Sequence, residues 1–300
     1  MKRPIPVALT TSALAAPAMA QEIEEFRIGI LGGENAQDRL ASNQCLADYV
    51  TEALGVPVRV FAPADCNGVI QGLLGGSIDP AWLGASACAA TCLADPEAVE
   101  PVLVKTNLDG AFGSHSIGFA RADSGITSLD EMRGKVFAFG DPNSSSGCLI
   151  PSVEIPAATG GTTEPGDHFG DVVFAGGQQQ TIVAVANGDV DAGETWAGGL
   201  GTWEDGYNPG ATRKASDAGL VEMNGLVAIW KSKPIPKGPI VLRRALPDPV
   251  KAAVTGIMNG LHERHADCAC SVAAGEAAGF MPIGHDACET IIALRQAEMN

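Results

Sequence analysis

The stretch Phe139–Pro151, "FGDPNSSSGCLIP", decides how this chain is read. The apolar strand "KVFAFG" runs into Asp-Pro-Asn, a turn-forming triplet. Three hydroxyls follow, Ser144, Ser145 and Ser146, then Gly147 and the apolar spacing of a helix over about 146–158. A strand, a polar turn and a helix start make an anion site. The first helical N–H groups have no intrahelical acceptor, and the helix dipole favours negative charge there. Serines add rotatable O–H donors, and a glycine lets the backbone approach closely. An ordinary N-cap needs one of the three serines. The run therefore also suits a tetrahedral oxyanion such as phosphate or a phosphonate.

Outward from this loop the chain alternates strands and helices. "FRIGIL" is a buried strand, and residues 36–54 have helical spacing through Leu40, Leu46, Val50 and Leu54. "VPVRVFA", "CNGVIQGLLGGSID" and "PAWLGA" add strand, helix and strand. This βαβαβ order implies a parallel, doubly wound sheet. "EPVLVKTN" and "SHSIGFARA" are strands, "SLDEMRG" is a short capped helix, and "DVVFAG" and "VDAGETW" flank the helix "QQQTIVAVANG". The chain returns through "LVAIWKSKPIPKGPIVLRRAL", and 248–300 read as helical. The expected fold is α/β with two lobes of the type II-like solute-binding kind, two parallel-type sheets and a two-strand hinge. Lobe 1 is residues 21–115 plus 228–300, and lobe 2 is 116–227. Ligands of such folds sit in the crevice at strand C-termini.

Residues 1–20 carry Lys2 and Arg3, an alanine-rich apolar stretch and Ala18-Met19-Ala20, the pattern of a cleavable signal peptide. No later run approaches the ~18 apolar residues of a membrane helix. The chain carries 19 basic and 35 acidic residues, a net charge of -16. Without Lys2 and Arg3 the balance is 17 against 35, or -18. That argues against nucleic acid or an anionic membrane as partner, but not against a small anion held by local donors. Eight cysteines in an exported protein suggest disulfides, whose pairing sequence alone does not choose. The two tyrosines, Tyr49 and Tyr207, are unusually few.

"DPNSSSGCLIP" resembles the D-P-N-S-T-S-G-aromatic-L-x-P signature of the phosphonate/phosphite/phosphate-binding proteins of ABC importers. "APADCNGVIQGLLGGSIDPAWLG" is similar to another segment of that family, with Asp65, Gly68, Ile70, Gly72, Asp79, Trp82 and Gly84 in register. "DGAFGSHSIGFA", "VAVANGDVDAGETWA" and "IWKSKPIPKGPIVLR" match further segments in order, so the resemblance covers about 26–290. It implies a periplasmic protein that captures a small phosphorus oxyanion or organophosphonate. It would act as a monomer, without a cofactor or metal, and deliver its ligand to a membrane permease. Ser144, Ser145 and Ser146 would hold the P–O oxygens from lobe 2. The Trp82–Ala85 strand end and the Asp65–Asn67 loop would meet the ligand from lobe 1. Ser114, His115 and Gln178 complete the expected contacts. The family also tolerates cysteine at the positions of Cys45 and Cys268, which suggests a disulfide between them.

Several positions depart from the pattern. Cys66 replaces a usual tyrosine, Ser114 an aromatic, and Cys148 the aromatic after the serine loop. Gly177-Gln178-Gln179 stands where Gly-His-Glu is usual, and Gly198 where a carboxylate is common. Cys88, Cys92, Cys270 and Cys288 also fall at former tyrosine positions. A thiol is a weaker donor than a phenol, and Gly198 removes a partner for a ligand amine. A 2-aminoethylphosphonate-type ligand is therefore disfavoured against phosphate, phosphite or a neutral-tailed phosphonate. The alternatives are a degenerate or sensor-type binding protein with altered ligand, or a phosphoryl or serine hydrolase. The hydrolase would need a base such as His115 or His168 beside the serines, and no G-x-S-x-G elbow is present. "GILGGEN" lacks a dinucleotide fingerprint, and its Glu34 and Asn35 are expected near the cleft mouth.

Overall fold

The computed structural model describes residues 23–31, 35–106, 113–273 and 279–298. The expected signal peptide and the loop residues Gly32, Gly33 and Glu34 lie outside the described residues.

The chain opens with β1 (Phe26–Ile30), α1 (Ala36–Leu54), β2 (Val58–Phe61), α2 (Cys66–Leu74), β3 (Pro80–Trp82), α3 (Ala85–Ala94) and β4 (Val99–Thr106). It continues with β5 (Gly113–Arg121), β6 (Val136–Phe139), α4 (Ile150–Thr159), β7 (Asp171–Phe174), α5 (Gln178–Asn187), β8 (Ala192–Leu200), β9 (Asn208–Gly210) and α6 (Ala211–Asp217). The last part holds β10 (Leu226–Lys231), β11 (Ile235–Pro236), β12 (Ile240–Arg243), α7 (Asp248–Asn259), α8 (Leu261–Arg264), α9 (Ala266–Val272), β13 (Gly279–Pro282) and α10 (Glu289–Glu298).

Two sheets form two lobes. The first has the order β13-β4-β12-β3-β1-β2 and the second β10-β5-β8-β6-β7, with β11 on β5 and β9 on β8. The βαβαβ start pairs as its pattern implies, with β1 parallel to both β2 and β3. In the second sheet β6 is parallel to β7 and β8. The sheets are not wholly parallel: β12 and β13 run against the other strands of the first, and β5 runs against both its neighbours, β8 and β10, in the second. β10 belongs to the second sheet and β12 to the first, so the return crossing lies at 232–239.

The C-terminal region, expected to be helical, contains β13. It covers the edge of β4, as unpaired sheet edges require, and sets Phe280 edge-on to Trp82 at 5.7 Å. "SLDEMRG" forms one 3₁₀ turn, Asp130–Met132. Apolar cores lie on both faces of each sheet, for example Phe26, Leu46, Val50 and Val254 on one face of the first and Val69, Leu73, Leu83 and Cys88 on the other. Asp79, just before β3, is buried between Arg243 (2.7 Å) and Arg27 (3.3 Å) and accepts from the Arg27 N–H. This buried pairing locks β1, β3 and β12 into the frame from which α2 and α3 face the second lobe.

Candidate functional site

A cavity of about 540 Å³ lies between the lobes. Its lining includes Ser144, Ser145, Ser146, Cys66, Trp82, Gly84, Ser114 and Gln178, all expected from sequence. His115 is not part of that lining. Its Nδ1 pairs with the Ser232 carbonyl at 2.9 Å, which ties β5 to the return crossing. The strand alternation that turns Ser114 toward the cavity turns its neighbour away.

The serine loop is tighter than a plain helix start. Ser145–Leu149 form a π-helical turn, and α4 begins only at Ile150, with Pro151 in its first turn. Ser144 Oγ accepts from the Gly147 N–H (2.9 Å) and from Gln178 Nε2 (3.3 Å). Gln178 is itself held by Thr195 Oγ1, which donates to its Oε1 at 3.0 Å. Gly147 is obligatory here: a Cβ would lie 2.7 Å from Ser144 Oγ and 3.0 Å from Gln178 Nε2. Beneath the loop, Gly140 N–H donates to Glu194 Oε1 and Ser116 Oγ donates to the Ser146 carbonyl, both at 2.8 Å. Burial pushes the Glu194 carboxyl well above the ordinary range, so it is a neutral prop.

The first lobe presents two helix N-termini to this loop. α3 starts at Gly84, which has no capping side chain, and its Ser86 N–H donates across the cleft to Ser145 Oγ at 2.8 Å. α2 has Asp65 as its N-cap, and the Cys66 N–H donates across the cleft to Asp141 Oδ2 at 2.9 Å. Arg295 on α10 reaches both sides, donating to Ser86 Oγ (2.6 Å) and to Asn143 Oδ1 (2.5 Å). Burial pushes the Cys66 thiol up to about 12, with the Asp141 charge adding to it, so Cys66 is a neutral wall residue. Ser144 and Ser145 each accept a hydrogen bond while keeping one O–H proton to give. The acceptor capacity of Ser144 is filled by Gly147 and Gln178, and each serine keeps a proton that can be donated toward an anion.

The sequence reading missed the cations. Arg39, Lys105, Lys214 and Lys237 all line the cavity. Lys105 is 4% exposed, and its ammonium donates to the Ala273 carbonyl at the end of α9. Burial, then Lys237 and Lys214, push its pKa down to about 7. Lys214 also stands over the Trp196 ring, 5.4 Å from its centroid. These residues come from distant parts of the chain and carry no motif. Asp141 was within reach of the reading, since it opens the quoted turn and its Oδ1 accepts from the Asn143 N–H.

Gly198 can carry no side chain in this arrangement, because a Cβ would lie 2.7 Å from Pro209 Cδ. His168 is fully buried, with Nε2 paired to the Leu129 carbonyl, so it does not serve the serines as a base. Asn35 caps α1 through its side chain and lines the cavity mouth. The sulfurs of Cys45 and Cys268 lie 2.07 Å apart, joining α1 to α9. Among the described residues, no group of three His, Cys, Asp or Glu side chains is placed to hold a metal, and no helix is long and apolar enough to cross a membrane.

Comparison with known proteins adds the following. Residues 28–287 match the family model described as "ABC transporter, phosphonate, periplasmic substrate-binding protein". The chain is 31% identical over 246 residues to the phosphonates-binding periplasmic protein of Escherichia coli, covering 80% of this chain and 67% of that one. It is 28% identical over 213 residues to the phosphate-import protein PhnD of Mycolicibacterium smegmatis. That match covers 70% of this chain and spans 63% of the relative's length. In structure it is similar to a binding protein component of an ABC phosphonate transporter from Pseudomonas aeruginosa, with TM-score 0.78, 24% identity and coverage of 92% and 86%. It is also similar to PhnD1 of Prochlorococcus marinus in complex with methylphosphonate, with TM-score 0.76, 17% identity and coverage of 92% and 98%.

Proposed function

Because the chain belongs to the periplasmic substrate-binding proteins of phosphonate ABC transporters, we propose that it captures a phosphorus oxyanion between its lobes and hands it to a membrane permease. The ligand is a phosphonate, phosphite or phosphate. The observation that carries this reading is the donor set around the serine loop. Ser144 Oγ has both acceptor positions filled, by Gly147 and Gln178, Ser145 Oγ accepts from Ser86, and both serines line the cavity. Their remaining protons, the Ser146 hydroxyl and the N-terminus of α3 are donors, while α2 gives its Cys66 and Gly68 N–H groups to Asp141 and Asp65. A tetrahedral anion accepts from several directions and matches that set.

Capture involves no bond making. Among the described residues, His168 is spent on Leu129 and His115 on Ser232, so neither serves the hydroxyls as a base. The lobe-to-lobe bonds from Ser86 to Ser145, Cys66 to Asp141 and Arg295 to Ser86 and Asn143 belong to a closed state. A ligand that adds acceptors at this seam stabilises closure, and the permease reads the closed form by population shift. The protein works as an exported, periplasmic monomer. The missing tyrosines and the blocked Gly198 argue against an ammonium tail on the ligand.

The test is isothermal titration of the protein from residue 21 onward, in a non-phosphate buffer, with phosphate, phosphite, methylphosphonate and 2-aminoethylphosphonate. Micromolar or tighter binding of one of the first three, with 2-aminoethylphosphonate weaker, is expected. Absence of heat with all four, from folded protein free of trapped ligand, would overturn the reading.

A further inference from the structure

Three cysteines meet in a buried cluster away from the cleft. Cys88 and Cys92 lie one turn apart on α3, and Cys288 stands immediately before α10. None of the three lines the cavity. Cys88 is fully buried and Cys288 nearly so. Their sulfurs lie 3.0 Å apart across a sequence separation of 200. That is about 1 Å beyond a disulfide bond. A thiol is a weak donor and a weak acceptor, so a hydrogen bond alone gives little drive for so close an approach.

The pair joins two elements that meet at the seam between the lobes. Ile291 of α10 packs in one cluster with Ala85 and Ala89 of α3 and with Leu149, at the end of the π-helical turn in the second lobe. One turn further along α10, Arg295 donates to Ser86 in the first lobe and to Asn143 in the second. α10 is therefore a strap over the seam, and Cys288 sits at its root, against the helix whose N-terminus meets Ser145. We propose that Cys88 and Cys288 form a second disulfide in the exported protein, tethering α10 to α3 so that the strap stays on the seam. The oxidant is a protein or small-molecule disulfide of an oxidising compartment. The Cys88 thiolate attacks one sulfur of that disulfide, which gives a mixed disulfide and expels a thiolate. The Cys288 thiolate then attacks Cys88 Sγ and expels the oxidant's second sulfur. The two protons given up by the cysteines end on the oxidant, which leaves as a dithiol. In the folded, reduced protein, hydrogen bonds to Cys288 and Cys92, then burial, hold the Cys88 thiol above its ordinary range. The bond therefore forms as the C-terminal segment docks, before the cluster closes. This rests on export to the periplasm and is independent of which anion the cleft holds.

The experiment exports the full chain into a bacterial periplasm, purifies it without reductant, unfolds it in an alkylating agent and maps the peptides. Cys88 and Cys288 should be found joined, while Cys66, Cys92, Cys148 and Cys270 alkylate. Free alkylation of both, or a link from Cys88 to Cys92, would overturn the proposal. Amide hydrogen exchange in 289–298 reads the tether. Cys288→Ala should speed it about tenfold or more, because the strap is no longer held at its root. Cys92→Ala truncates the same cluster without removing the bond, and exchange should stay within about twofold of the parent. Equal acceleration in both variants, or in neither, would overturn the tether. Neither readout uses a ligand, so a failure of anion binding would count against the serine loop alone.

Discussion

The serine set and the lysine set face the same cavity and are built in opposite ways. Ser144, Ser145 and Ser146 are adjacent in sequence, neutral, and held by bonds to Gly147, Gln178, Ser86 and Ser116. Lys105, Lys214 and Lys237 are more than a hundred residues apart at the extremes, charged, and joined only by the way two sheets meet. The serine set is oriented by bonds within the protein, while its O–H protons remain to be donated. Lys105 is the buried member of the lysine set, and burial first, then Lys237 and Lys214, push its pKa down to about 7. The first arrangement suits a rigid anchor that any phosphorus oxyanion can use. The second exists only where the two lobes meet.

The comparison can be broken most directly at the anchor. Ser145→Ala with Ser146→Ala should weaken methylphosphonate binding about a hundred-fold or more, since two hydrogen bonds to a charged ligand are lost. The melting temperature should move little, because the Ser145 bond crosses the cleft instead of bracing either core. Retained affinity in titration would show that the anchor lies elsewhere.

Reducing the Cys45–Cys268 link, which the sulfur positions favour, should come next in size. It closes a separation of 223 residues, and its loss should cost about 2–4 kcal/mol by chemical denaturation. Cys268 lies in α9, whose end anchors Lys105 through Ala273. If both cysteines alkylate freely in the unreduced, unfolded protein, the pairing is wrong.

Lys105 gives a pH test. Its folded pKa is depressed, and Lys237, Lys214 and Cys270 are the charged or titratable groups that act on it. Below about 7 it is cationic in the empty cleft; as pH rises through that value it loses its charge. In the unfolded chain Lys105 holds its proton up to the ordinary lysine value, so the stability of the empty protein should rise with pH above about 7. Lys105→Met should remove that slope and raise empty-state stability near neutral pH by about 1–3 kcal/mol in urea melts. A destabilised variant with an unchanged pH profile would refute the burial cost assigned to this residue.

The smallest expected effect is at Arg295, which spans the seam between the lobes. Arg295→Met should lower affinity for all ligands about two- to fivefold, by favouring the open form. Small-angle scattering of the ligand-free variant should show a larger radius of gyration. A loss confined to one ligand would make Arg295 a contact instead of a latch.

Much of this was legible in the chain itself. The periodicity of residues 26–84 implied β1-α1-β2-α2-β3 with parallel pairing, because alternating apolar strands and amphipathic helices can bury their faces in few other ways. The serine loop was legible because a turn, its hydroxyls and its glycine are neighbours in sequence. The π-helical start of that loop was not legible, since it answers to contacts with Glu194, Ser116 and Gln178 from elsewhere. Nor was β13, whose four residues become a strand because the edge of β4 is there to pair with.

By itself the sequence determined the two-lobe α/β plan and the place of the serine loop, since both depend on local pattern. Tertiary structure decided which serine caps the turn, that Asp141 and Ser145 close onto helix ends of the other lobe, that His115 faces Ser232 instead of the cavity, and that three lysines line one cavity. Those outcomes depend on distances between segments far apart in the chain. Hydrogen bonds and charges act over a few ångströms of space, whatever the separation in sequence.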